Sequence, residues 1–161
     1  MTLTELCEEL NNWFDVRRHY GSFKIQDGCL EDVEFLKEGR FYRIKGSFEN
    51  DGVVLCMSYN DSLQLVHILG YSNDNPDTDF VTDEEFEGSV WELAINVSLR
   101  NLYRQMCQWE SDNQKIIDSP YTSENFGSGG YSYTKDTSGS GINWKSKFSS
   151  DLNKWRKVSG I

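Results

Sequence analysis

The chain is short of positive charge. Its 16 Lys and Arg stand against 26 Asp and Glu, a formal balance of −10 at pH 7. A protein that wraps nucleic acid must neutralise phosphates with Lys and Arg, so this balance speaks against that role. Two others suit the acid excess: solubility through self-repulsion, or a lining past which DNA slides without sticking. Histidine is scarce, with only His19 and His67, which leaves little for a His-based triad. The 4 cysteines, Cys7, Cys29, Cys56 and Cys107, form no C-x-x-C pair. That argues against zinc and for free thiols in a reducing compartment. No apolar run approaches a membrane span, and residues 1–10 carry Glu5, Glu8 and Glu9 where a signal segment would be apolar. The G-x-S-x-G, H-E-x-x-H, P-loop and G-x-G-x-x-G patterns are absent. We therefore expect no enzyme, no catalytic residue and no cofactor.

Aromatic residues are plentiful: 5 Trp, 8 Tyr and 9 Phe make 14% of 161 residues. Disordered chains are poor in these types, so this one folds, within the size of one domain. The surplus hints at contacts with other chains, where Tyr and Trp are enriched.

Thr2 and Glu5 form a capping-box pattern. Leu3, Leu6, Cys7, Leu10, Trp13 and Phe14 then recur at helical spacing, which predicts an opening helix that Gly21 ends. Alternation follows at Phe23 and Ile25, at residues 41–45, at Val53 to Leu55 and at Leu63 to Val66. Asp27-Gly28 and Asn50-Asp51-Gly52 mark tight turns, and together these predict a small antiparallel sheet. Thr82 and Glu85 form a second capping-box pattern that would open one helical turn. Residues 90–95 read as strand or as the start of a helix; the strand is preferred, followed by a helix at about 96–113 with Leu99, Leu102, Tyr103, Met106 and Trp109 inward. Residues 119–141 are rich in Ser, Gly, Tyr and Thr, a surface-segment composition in which Tyr131 and Tyr133 alternate as in a strand. Trp144, Phe148, Leu152 and Trp155 predict a closing amphipathic helix. The fold class is thus α+β: N-terminal helix, small antiparallel β-sheet, long helix, extended Tyr/Ser/Gly-rich arm and C-terminal amphipathic helix. Residues 1–118 form a helix-plus-sheet body, β-rich over about 22–95, and 119–161 form an arm and helix for assembly.

Each candidate site has a plain competitor. His19 reads as a helix-end cation beside Arg17 and Arg18, and His67 as an outward strand residue. Asn73, Asp74, Asn75, Asp77, Asp79 and Glu84 mimic the spacing of a calcium loop, but Thr78 stands where glycine is wanted and Pro76 stiffens the run, so an acidic loop is the preferred reading. The C-terminal stretch combines Trp144, Phe148, Leu152 and Trp155 with Lys154, Arg156 and Lys157 on a Gly/Ser tether; a nucleic-acid or membrane-surface helix and packing on its own body compete with a partner surface, which is slightly preferred.

Several stretches resemble small proteins from the head–tail joining genes of long-tailed bacteriophages. They are 21–28 (Gly-Ser-Phe-Lys-Ile-Gln-Asp-Gly), 35–44, 46–53, 81–94, 119–127 with 130–133, and 152–157. The Ser-Glu-x-x-Gly-x-Tyr-Ser pattern, here interrupted by Ser128 and Gly129, is similar to that of adaptors docking beneath the portal ring. The chain departs from the pattern at Asn96-Val97, where Pro-Pro stands in the family. The resemblance implies a head–tail connector subunit forming a ring, a dodecamer matching the portal, within the virion and assembled in the host bacterial cytoplasm. Its partners would be itself, the portal, the next neck or tail protein and, transiently, packaged DNA, with no membrane. Tyr131, Tyr133, Trp144, Phe148, Leu152, Trp155, Arg156 and Lys157 would then dock on other chains. The alternatives are another neck or tail-completion protein, or an acidic inhibitor that mimics DNA.

Overall fold

The opening helix, α1 (Leu3–Glu9), starts where the capping box places it: the Thr2 hydroxyl accepts from Glu5 N–H, and the Glu5 carboxylate accepts from Thr2 N–H. The computed structural model describes residues 1–68, 78–118, 123–125, 132–134 and 143–158. The helix stops much earlier than Gly21. Leu10 is its C-cap, Asn11 takes φ +47°, and Phe14 takes φ +53°. Asn tolerates the left-handed conformation that closes helices, and the Asn12 side chain accepts from Phe14 N–H. Trp13 and Phe14 therefore leave the helix. Arg17 to Tyr20, read above as its end, lie inside a strand, β1 (Asp15–Gln26).

The Asp27-Gly28 turn, with φ +51° and +76°, returns the chain as β2 (Cys29–Leu30), as a type I′ hairpin should. Then follow β3 (Phe41–Lys45), β4 (Gly52–Tyr59), β5 (Ser62–Ile68), β6 (Thr78–Phe80) and β7 (Glu84–Leu93). Thr82 opens no helical turn, because its N–H donates to Asn50 Oδ1 (2.7 Å) and Glu84 and Glu85 pair with β1. Residues 90–95 are strand up to Leu93, and the long helix α2 (Val97–Asp118) follows.

These strands form one antiparallel sheet in the order β2-β1-β7-β3-β4-β5-β6. Leu65 N–H donates to Gly28 O (2.8 Å), which ties the β1–β2 hairpin back to β5 and curls the sheet on itself. Its two faces bury two cores. Inside the curl lie Phe23, Ile25, Tyr42, Ile44, Val54 and Leu65, among others. On the outer face, Phe41, Val53, Trp91 and Leu93 pack beneath α1 and α2 through Leu6, Leu10, Leu99 and Met106. Alternation along β7 feeds both, since Val90 points inward and Trp91 outward.

A small hairpin, β8 (Ser123–Asn125) with β9 (Ser132–Thr134), follows α2. The C-terminal stretch is three short pieces rather than one helix: α3 (Trp144–Lys147), α4 (Ser149–Leu152) and a 3-10 turn (Asn153–Trp155). Phe148, at φ −105° and ψ 14°, breaks the first from the second. Ser and Asn are weak helix formers, so packing sets its path.

Candidate interaction surface

The residues assigned above to partner docking turn largely inward. Trp144 and Leu152 are buried in the outer core with α1 and α2. Phe148 meets Trp109 edge-on at 6.0 Å, and Trp155 meets Phe14 at 6.3 Å. Arg156 pairs with Glu9 (2.7 Å), as does Lys145 (3.0 Å), and Lys157 N–H donates to Leu10 O. The physical reason is that α1 ends early. It leaves a groove beside Glu9, Leu10 and Phe14 which this stretch fills at no cost of finding a partner. Tyr133 is opposite Glu124 in the β8–β9 register, while Tyr131 lies outside the described residues.

The candidate calcium set also dissolves. Residues 73–77 lie outside the described residues, and Glu84 is engaged elsewhere. Its carboxylate accepts from the Ser47 hydroxyl, from Phe48 N–H (2.7 Å), from Glu49 N–H (3.2 Å) and from Asn50 Nδ2 (3.0 Å). Burial alone would push Glu84 up, but these four donors outweigh it and hold the carboxyl below its usual range. Asn50 is itself buried and exchanges two hydrogen bonds with Thr82. The 46–51 turn between β3 and β4 is therefore rigid, yet it presents Phe48 with 91% of its surface in solvent.

A second apolar feature lies on the outer face of β4 to β6. Met57 and Tyr59 alternate with inward Cys56, and register places Phe80 opposite Val66, which is opposite Leu55. Tyr59 and Phe80 make an edge-to-face pair at 5.9 Å while remaining 55% and 50% exposed. The helices cover this face near Val53 and Leu55 but leave its far end bare.

At the end of the curl where β7 runs out, an open cleft of about 420 Å3 is lined by Lys37, Arg40 and Arg100 over Phe41, Leu93 and Ile95. Arg40 Nη1 donates to Glu92 (2.9 Å), whose other oxygen lies 2.8 Å from His19 Nε2. Those hydrogen bonds, from His19 first and then Arg40, hold the buried Glu92 carboxyl below its usual range. The His19 ring stacks on Phe35 at 3.8 Å. His19 is thus a strand residue with a carboxylate partner rather than a helix end. His67 departs from its reading too: register sets it opposite Val54, which lies in the inner core, and burial lowers its pKa. On the outer face Arg43 is sandwiched between Trp13 (3.3 Å) and Trp91 (4.6 Å), with Arg18 on Trp91 at 3.8 Å. This stack joins α1's exit to the sheet.

None of the four cysteines is in a disulfide. Burial pushes Cys7 up to about 12 and Cys56 up to about 11, which makes both poor nucleophiles. Among the described residues, no group of three metal-ligating side chains occurs and no helix is long and apolar enough to cross a membrane. Sequence reading missed Phe48, Tyr59 and Phe80. Tyr59 had a visible signal, the apolar side chain at every second position of 53–59 continuing past the strand's buried part, whereas no sequence pattern singled out Phe48 or Phe80. No family model, curated protein or solved structure matches the chain.

Proposed function

We propose that this protein is a non-enzymatic assembly subunit of a tailed-bacteriophage head–tail junction, forming a ring beneath the portal. The phage assignment rests on the sequence stretches described above. The assembly role is carried by one observation, the bare apolar patch of Met57, Tyr59 and Phe80 on a chain of net charge −10. Self-repulsion keeps such a chain apart at long range, while contiguous exposed apolar surface marks a site covered by another protein. In a ring, each subunit meets its neighbour through two different surfaces. The acid excess suits a conduit wall that DNA phosphates do not adhere to.

The test is particle morphology when the gene is interrupted. The expected result is DNA-filled heads separated from tails, restored by the wild-type chain and poorly restored by a Tyr59→Ser, Phe80→Ser double variant. Normal joined virions without the protein would remove it from the junction.

A further inference from the structure

The two ends of β7 carry features that complement each other. Beside Glu84, the 46–51 turn projects Phe48 into solvent, followed by exposed Glu49 and Asp51. Beside Leu93, roughly 30 Å away at 3.3 Å per strand residue, the cleft offers an apolar floor under Lys37, Arg40 and Arg100. Glu38 is the one carboxylate among the described residues of its lining. The Arg100 Nε is shielded from solvent and has no hydrogen-bond partner among the described residues, whereas buried polar groups are ordinarily satisfied. A cavity of about 150 Å3 accommodates a benzene ring, so a cleft of about 420 Å3 has room for a phenyl side chain and flanking carboxylates.

We propose that the 46–51 turn of one copy docks into the Arg100 cleft of the next, with Phe48 on the Phe41–Leu93 floor and Glu49 and Asp51 towards Arg100 and Lys37. The rigidity of the turn carries the argument. Buried Ser47 and Asn50 bond to Glu84 and Thr82, Glu84 accepts from Phe48 N–H and Glu49 N–H, and Asp51 accepts from Gly46 N–H, yet the Phe48 side chain stays in solvent. A preorganised knob loses little freedom on docking. Because knob and hole lie at opposite ends of one strand, the contact is head-to-tail and repeats, closing into a ring when its rotation permits. The inference rests on the assembly reading for its partner, a second copy, and adds which surfaces meet.

Sedimentation of the full chain across a concentration series tests it, with Phe48→Ser, Arg100→Glu, and the pair Glu49→Lys with Arg100→Glu. Phe48 is solvent-exposed, so its replacement should leave the melting curve unchanged. The expected result is concentration-dependent association of the wild type, weakened at least tenfold by either single substitution and recovered in part by the charge exchange. Wild-type association that neither substitution weakens overturns the docking while the assembly reading stands. A wild type that stays monomeric yet joins particles also overturns it, and one that is monomeric and dispensable for joining overturns both.

Discussion

Glu84 shows how much one side chain can organise. Replacing it by Ala leaves the buried Asn50 amide and Ser47 hydroxyl without their shared acceptor. An orphaned buried donor costs about 1–3 kcal/mol, so Glu84→Ala should lower the unfolding free energy by about that much, seen as a lower denaturant midpoint with an unchanged slope. A larger loss would mean that the 46–51 turn anchors more of the sheet than its own backbone. His67 makes a pH-dependent contribution. Burial depresses its pKa in the folded chain, opposed by Asp79, so the unfolded chain takes up the proton first as pH falls. The stability it contributes is complete above the unfolded value of about 6.5 and is lost as pH falls from there through the lower folded value. His67→Gln should therefore flatten the stability profile as pH falls below about 6.5, and an unchanged slope there would locate that titration elsewhere.

At the scale of elements, the C-terminal pieces α3 and α4 belong with α1. Trp144 and Leu152 are buried among Leu3, Leu6, Leu10 and Met106, and Glu9 fastens both Lys145 and Arg156. Trp→Ala and Leu→Ala in such settings cost about 3–5 and 2–5 kcal/mol. Ending the chain at residue 142 removes both side chains and leaves α1 half uncovered. Such a truncation should lower the melting temperature sharply or abolish cooperative melting; an unchanged melt would show that α1 and α2 cover the sheet by themselves. Elsewhere β3 and β7 approach so closely that a Cβ on Gly88 would stand 2.2 Å from Lys45 O. That position admits glycine for lack of space, whatever its backbone angles.

For the whole molecule, the decisive feature is that one curled sheet buries both faces. Trp91 belongs to the helix-covered core and its neighbour Val90 to the inner one, so disrupting β7 disrupts both. The same curl gives the molecule two unlike ends, an acidic turn and a cationic cleft, on a chain of net charge −10. Uniform acidity would hold copies apart. Lys37 and Arg100 gathered at one cleft would turn part of that repulsion into an oriented attraction, as the proposed head-to-tail contact requires.

Local chemistry was enough to read several elements from the sequence. The Thr2–Glu5 box starts α1, Asp27-Gly28 makes a hairpin, and the spacing of Leu99, Tyr103 and Met106 defines the buried side of α2. Each depends on residues within about four positions of one another. Other outcomes were decided at a distance. Trp13 and Phe14 continue the helical pattern of α1, yet they leave it to meet Trp91 and Trp155. Trp144 and Leu152 form an apolar stripe that suits a foreign surface as well as its own, and only the groove left by the short α1 assigns it inward. Glu84 reads as the last carboxylate of an acidic loop until the curled sheet brings 46–51 within its reach. An apolar stripe or a carboxylate specifies what it must be buried or bonded with in kind, and the tertiary structure decides which surface supplies it.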